Sequence, residues 1–214
     1  EGVDWFHFTG ITPALGENIA AICSDAVTAA KQRGITVSCD VNYRRALWPA
    51  DKAGEVLAKL LSQTDVCIIN EEHAGLLFGI KAEKSGVDDA ISFDSAAYVA
   101  EQMSHKFGCG KVAVTIRRTI SASDNRFTAV LYDRDTNNAY RSRIYDLRIV
   151  DRVGGGDAFS AGLILSLQNG DPCGDAVEFA AAACALKHTI EGDMNHVSES
   201  EVRTLAFGSG RSER

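Results

Sequence analysis

Short apolar runs alternate with longer segments whose apolar positions recur every three or four residues, the pattern of strands interleaved with helices. Residues 3–8 read as a buried strand. Thr12 followed by Pro13 reads as a helix cap with proline in the first turn, and 15–32 as an amphipathic helix with the stripe Leu15, Ile19, Ile22, Cys23, Ala26, Val27 and Ala30. Gly34 ends that helix and 35–40 forms a second strand. The alternation continues with a helix at 50–62, a strand at 66–69, a short helix at 71–78, a helix after Asp94 and a strand at 111–116. It predicts an α/β fold: a mostly parallel sheet flanked by helices on both faces through right-handed crossovers. Ligands of such sheets gather at the carboxyl ends of the strands.

The pattern then changes. Two runs, 126–132 and 139–144, are joined by the polar stretch 133–138 and predict an antiparallel edge hairpin. Beyond Gly156 the chain reads as helical over 158–168, 176–190 and 198–206. The alanine-rich part at 179–186 predicts close approach to a neighbour or to a flat ligand. Residues 81–89 read as a polar surface loop.

The composition narrows the possibilities. With 214 residues, 45% hydrophobic and 24% charged, the chain can bury the core of one α/β domain spanning 1–214, with or without a small appendage. A formal net charge of -7 argues against nucleic acid as a partner, although local arginines can still hold a phosphate. No stretch is long and apolar enough for a membrane span and no signal peptide opens the chain, so the expectation is a cytoplasmic protein. The cysteines, Cys23, Cys39, Cys67, Cys109, Cys173 and Cys184, follow no paired spacing and read as reduced core residues.

Gly154-Gly155-Gly156-Asp157 is the stretch most suggestive of chemistry. Glycines expose backbone amides to an anion, and a following helix start adds the positive end of its dipole. Asp157 there either caps the helix or takes a proton. At the end of the second strand, Asp40, Asn42 and Arg44 fall on alternate positions and could line one wall of a polar pocket, or satisfy one another in a turn. Asn70 ends the third strand ahead of Glu71, Glu72 and His73; the acids complement a helix dipole or reach magnesium through water. Arg117 and Arg118 end the fourth strand, facing a polyphosphate or solvent.

Asp151-Arg152-Val153-Gly154-Gly155-Gly156-Asp157-Ala158-Phe159 resembles the second signature of the ribokinase-like sugar kinases, the phosphofructokinase-B family. The stretches 8–12, 40–44, 70–72 and 185–193 are similar to its 2-dehydro-3-deoxygluconate kinase branch and follow in family order. The resemblance implies ATP-dependent phosphorylation of a sugar acid, with MgATP as cosubstrate. It implies Asp157 as catalytic base, the amides of Gly154, Gly155 and Gly156 as anion hole, and Asp40, Asn42 and Arg44 at the substrate. Asn70, Arg117, Lys187 and Asn195 are implied at ATP, and Glu72 at the metal. It also implies that sugar-binding strands and a lid precede Glu1, that the isolated chain binds ATP better than it catalyses, and that a homo-oligomer can form. The family's Asn-x-x-Glu reads Asn70-Glu71-Glu72-His73 here, which displaces the expected carboxylate. A kinase of fructose or another keto-sugar, and a nucleotide-binding module without transfer activity, are the alternatives. A nicotinamide-binding domain is disfavoured, since no glycine fingerprint follows the first strand.

Overall fold

The strands are β1 (Trp5–Thr9), β2 (Thr36–Asp40), β3 (Val66–Asn70), β4 (Lys111–Thr119), β5 (Asp124–Asp133), β6 (Asn138–Arg141) and β7 (Tyr145–Arg148). The helices are α1 (Glu17–Gln32), α2 (Ala50–Leu61), α3 (Glu71–Phe78), α4 (Phe93–Phe107), α5 (Gly155–Gln168), α6 (Cys173–Lys187) and α7 (Glu199–Phe207). They come from a computed structural model that describes residues 2–82 and 92–208; the expected surface loop at 81–89 lies, from residue 83 on, outside the described residues. The strand order is β1-β2-β3-β4-β5-β6, with β7 also paired to β5. β1 to β4 are parallel and β7 runs antiparallel to β5, so the sheet is mixed and mostly parallel, as the alternation predicts.

The chain divides into two compact units, Glu1–Thr115 with Leu131–Ala139, and Ile116–Val130 with Tyr140–Arg214. In the first, β2 and β3 carry near-continuous buried runs (Val37, Ser38, Cys39; Val66 to Ile69), the pattern of strands covered on both faces. Register sets Thr9 opposite Asp40 and Asn70 opposite Thr115, which brings the strand ends to one edge of the sheet. Leu57 and Leu61 of α2 and Val99 and Met103 of α4 complete the core. A Cβ on Gly54 would stand 2.7 Å from the Leu77 carbonyl oxygen, so α2 packs against the end of α3 only because that residue is glycine.

In the second unit α5 lies against α6. A Cβ at Gly162 would already sit 3.1 Å from Ala180 Cα and from Ala183 Cβ. The alanine-rich face therefore serves a neighbouring helix. Phe179, Ala182 and Ala183 of α6 form a core with Val202 and Ala206 of α7. Arg143 joins the edge strand to both helices, donating to the Glu178 carboxylate at 2.9 Å and to the Ala206 carbonyl at 2.7 Å.

Several local expectations are corrected. The first helix starts at Glu17, not at 15: Thr12–Leu15 is a separate 3-10 turn, and Gly16 at φ 150° breaks the path between them. Within the expected stripe Cys23, Val27 and Ala30 are buried, whereas Leu15 and Ile22 are 64% and 60% exposed. The run 139–144 is not one strand. It breaks at Ser142, whose hydroxyl accepts from the Ala129 amide, and resumes as β7. All six cysteines are thiols, and five of them are buried, with Cys173 half-buried. Burial drives the Cys39 thiol well above its usual range and pushes Cys184 up to about 12, so both behave as apolar core groups.

Candidate active site

α5 begins inside the glycine run. Gly154 is its N-cap at φ +78°, a left-handed conformation that favours glycine, and Gly155, Gly156 and Asp157 form the first turn. Two close approaches hold this turn. A Cβ on Gly154 would lie 2.5 Å from the Asp193 carbonyl oxygen and 3.1 Å from Lys187 Cε; one on Gly155 would lie 2.4 Å from His188 Cε1. At Gly156 a Cβ would meet nothing within 4 Å. The first two glycines answer to neighbours in the chain, and the third leaves open space.

The approach to the turn is fixed by Asp151. Its Oδ1 accepts from the Val153 amide at 3.0 Å and its Oδ2 from the Gly192 amide at 2.9 Å. Those amides, Val153 foremost, hold the Asp151 carboxyl below the usual carboxylate range. Beyond that point the donors are unused: the amides of Gly154, Gly155, Gly156 and Asp157 donate to no acceptor among the described residues. The first helical bond runs from the Ala158 amide to the Gly154 carbonyl, 2.9 Å. Asp157 is exposed, and its carboxylate makes no hydrogen bond or ion pair among the described residues. Four free amides at a helix N-terminus beside an unengaged carboxylate can seat an anion and accept a proton from a group that approaches it.

Basic side chains lie near this turn. Lys187 is fully buried, and its Nζ donates to the carbonyls of Ile190 (3.2 Å) and Gly192 (2.6 Å). His188 is buried with Nδ1 2.7 Å from the Cys184 carbonyl oxygen, and its ring lies against Gly155. Burial, followed by the charges of Arg117, Lys187 and Arg152, lowers its pKa against the opposing pull of that carbonyl, so the imidazole is neutral near pH 7. Arg152 donates to the Ala122 carbonyl at 2.8 Å, and Arg117 is exposed on β4. Asn195 is exposed and accepts from the Val197 amide at 3.3 Å, which shapes the segment after Asp193.

In the first unit the ends of β1 and β2 meet through Gly10, whose amide donates to the Asp40 carbonyl at 2.8 Å. A Cβ there would overlap the Val41 carbonyl oxygen at 2.1 Å. Asn42, at φ +36°, donates its amide N–H to Asp40 Oδ1 (3.1 Å) and its Nδ2 to Thr9 Oγ1 (3.2 Å). The structure therefore brings Asp40 and Asn42 together with Thr9. Arg44 is exposed, its carbonyl accepts from the Leu47 amide at 3.0 Å, and its guanidinium forms no hydrogen bond or ion pair among the described residues.

Asn70 is the N-cap of α3. Its Oδ1 accepts from the His73 amide at 2.7 Å and its Nδ2 lies 3.2 Å from His73 Nδ1. The His73 ring meets Tyr43 edge-on at 5.6 Å, and burial lowers its pKa, with Glu72 pulling it up and Arg44 down. Both ends of the Asn70 amide are engaged within the helix start. Glu72 is exposed, and among the described residues no three His, Cys, Asp or Glu side chains gather as a metal-ligand set.

Asp151 and His188 lie in the stretches that carry the resemblance, which gave neither of them a role. Asp151 carries a readable signal, an acid two residues before an amide it can accept. His188 carries none, because its role depends on the approach of α6 to a glycine more than thirty residues earlier.

The comparisons with known proteins agree with this architecture. A family model for the pfkB family of carbohydrate kinases matches residues 3–199. The chain is similar to a crystal structure of 2-dehydro-3-deoxygluconokinase from Thermotoga maritima, with 38% identity and a TM-score of 0.89 over 96% of this chain and 60% of that one. It is likewise similar to a pfkB family carbohydrate kinase from Listeria grayi, with 31% identity and a TM-score of 0.85 over 96% of this chain and 61% of that one. A 2-dehydro-3-deoxygalactonokinase of Haloferax volcanii is 27% identical over 95% of this chain, and a 2-dehydro-3-deoxygluconokinase of Bacillus subtilis is 27% identical over 88%. The chain spans 57% and 52% of the lengths of those two relatives. With a glycine turn and helix start of this geometry and a family match across nearly its whole length, the chain belongs to the pfkB family of carbohydrate kinases.

Proposed function

We propose that this chain is the phosphate-handling portion of an ATP-dependent sugar-acid kinase, which transfers the γ-phosphoryl group of MgATP to the 6-hydroxyl of 2-dehydro-3-deoxy-D-gluconate. The observation that carries the reading is the set of unengaged amides from Gly154 to Asp157 next to a carboxylate that has no structural partner. Amides bared by glycines at a helix start, with an acid beside them that no other side chain engages, form an anion seat with a proton acceptor next to it. The family match and the relatives named for 2-dehydro-3-deoxy sugar acids support an acidic substrate.

The residues present fit a polyphosphate: backbone donors, an open space at Gly156, and the positive charges of Arg117, Lys187 and Arg152. Magnesium keeps several of its waters, so it would arrive with the phosphates and meet Glu72 through water, with Asn70 holding the start of α3 in place. When bound it supplies charge neutralisation on the phosphate oxygens. In the transfer the sugar oxygen bonds to the γ-phosphorus as the bond to the β-bridging oxygen breaks and ADP leaves. Asp157 accepts the hydroxyl proton, and the amides of Gly154, Gly155 and Gly156 hold the charge on the transferring group. Arg44 pairs with the substrate carboxylate in bidentate fashion, and Asp40 and Asn42 order its hydroxyls. Arg117 and Asn195 border the nucleotide.

The test is Asp157→Asn. A positioned base contributes about 10²–10⁴-fold, so ADP formation dependent on the sugar acid should fall by that factor while ATP binding and the melting temperature stay put. Near-normal turnover by the variant would sink the reading.

A further inference from the structure

We infer that Lys187 is a positioning residue, a tethered ammonium that supplies a fixed positive charge to the Gly154 cradle and turns the carbonyls of the 190–192 segment away from it. The inference rests on the phosphate-seating reading of that cradle and deepens it. Lys187 is the last residue of α6, and its side chain is wholly buried. An ammonium has three donors. Two reach the carbonyl oxygens of Ile190 and Gly192, and no carboxylate pairs with it among the described residues. The Asp151 carboxylate feels its charge but is spent on the amides of Val153 and Gly192.

A buried cation without a counter-ion is costly, and only part of that cost is offset by the two carbonyls it satisfies. The placement supplies the compensation. Lys187 Cε would lie 3.1 Å from a Cβ on Gly154, so the ammonium sits one bond beyond the wall of the anion cradle. The Asp193 carbonyl oxygen would lie 2.5 Å from the same Cβ, in a segment whose Ile190 and Gly192 carbonyls point at Nζ. Remove the charge, and those carbonyl dipoles lose what orients them beside the bound phosphate. A unit charge beside a bound phosphate, even at an effective dielectric near 20, changes affinity by about tenfold or more.

The experiment measures MgATP, ADP and adenosine binding by calorimetry on the wild-type chain, Lys187→Met and Lys187→Ala, with thermal unfolding alongside. Lys187→Met keeps the shape and loses the charge; Lys187→Ala leaves a carbonyl-lined hole. Expected are a loss of about tenfold or more in MgATP affinity for Lys187→Met and adenosine affinity within about twofold of wild type. In Lys187→Ala, ammonium chloride should restore ATP affinity where tetramethylammonium chloride at equal ionic strength does not. Equal weakening of ATP and adenosine would mark a mere strut and overturn the inference. So would unchanged ATP binding by Lys187→Met, absence of ammonium rescue, or variants that fail to fold even with ammonium. A wild-type chain that binds neither MgATP nor ADP would instead overturn the cradle itself, and this inference with it.

Discussion

Replacing Gly154 and Gly156 by alanine should separate stability from function within one turn of backbone. At Gly154 the left-handed φ of +78° costs a non-glycine residue about 1–2 kcal/mol. The new methyl would also stand 2.5 Å from the Asp193 carbonyl oxygen, a main-chain atom that can move only by shifting the 190–193 segment. Overpacking of that kind costs about 1–3 kcal/mol. Together these take about 2–5 kcal/mol from a stability of order 5–15 kcal/mol. At about 2–4 °C per kcal/mol for a chain of this length, the melting temperature of Gly154→Ala should fall by roughly 4–20 °C. Gly156→Ala works the other way. Its methyl meets no atom within 4 Å and its φ is not left-handed, so alanine gains up to about 1 kcal/mol of helix propensity. On the proposed reading the same methyl crowds a phosphate at those amides, where each hydrogen bond to the charged group contributes about 1.5–3 kcal/mol, so MgATP affinity should drop by about tenfold or more. Circular-dichroism melting and calorimetric titration of both variants check this. A Gly156→Ala chain that melts well below wild type, or that binds MgATP as wild type does, would refute the reasoning.

Arg44→Ala should weaken binding of 2-dehydro-3-deoxygluconate by about tenfold or more, since a charge-assisted bidentate pair is lost, and leave a neutral keto-hexose unaffected; competitive titration of the two sugars checks it. His188 and His73 both have pKa values lowered chiefly by burial, so the unfolded chain takes up their protons first. Their contribution is complete above the unfolded value near 6.5 and is lost as pH falls from there towards the folded values. The urea midpoint should therefore decrease between pH 7.5 and 5.5, and NMR titration of the two imidazoles should give midpoints below 6.5; a midpoint above it at either ring would contradict the burial argument.

The glycine turn could be singled out from the residues alone, because glycines ahead of an acid and an apolar helix mark a helix start with exposed amides; whether the acid caps that helix or takes a proton could not be read there. The start of α5 was not so readable: helix propensity puts it after Gly156, whereas the structure starts it at Gly155. Glycine is present there because His188 and Asp193 leave no room for a side chain at positions 155 and 154. The same contrast holds in the first unit. Glu71–Phe78 was legible to the residue, since Asn70 caps it and Gly79 ends it in a left-handed conformation. That Asn70 spends both ends of its amide on His73 could not be read, because ring placement follows from packing against Tyr43.

Local periodicity and turn chemistry thus determined the order and kind of nearly every element, because those depend on residues a few positions apart. The break at Ser142 and the strand after it, the burial of Lys187 against carbonyls of its own loop, and the seating of His188 beneath Gly155 were decided only by the tertiary structure. Each turns on a distance between residues remote in sequence or on the direction of a side chain, and neither is written in hydrophobic spacing.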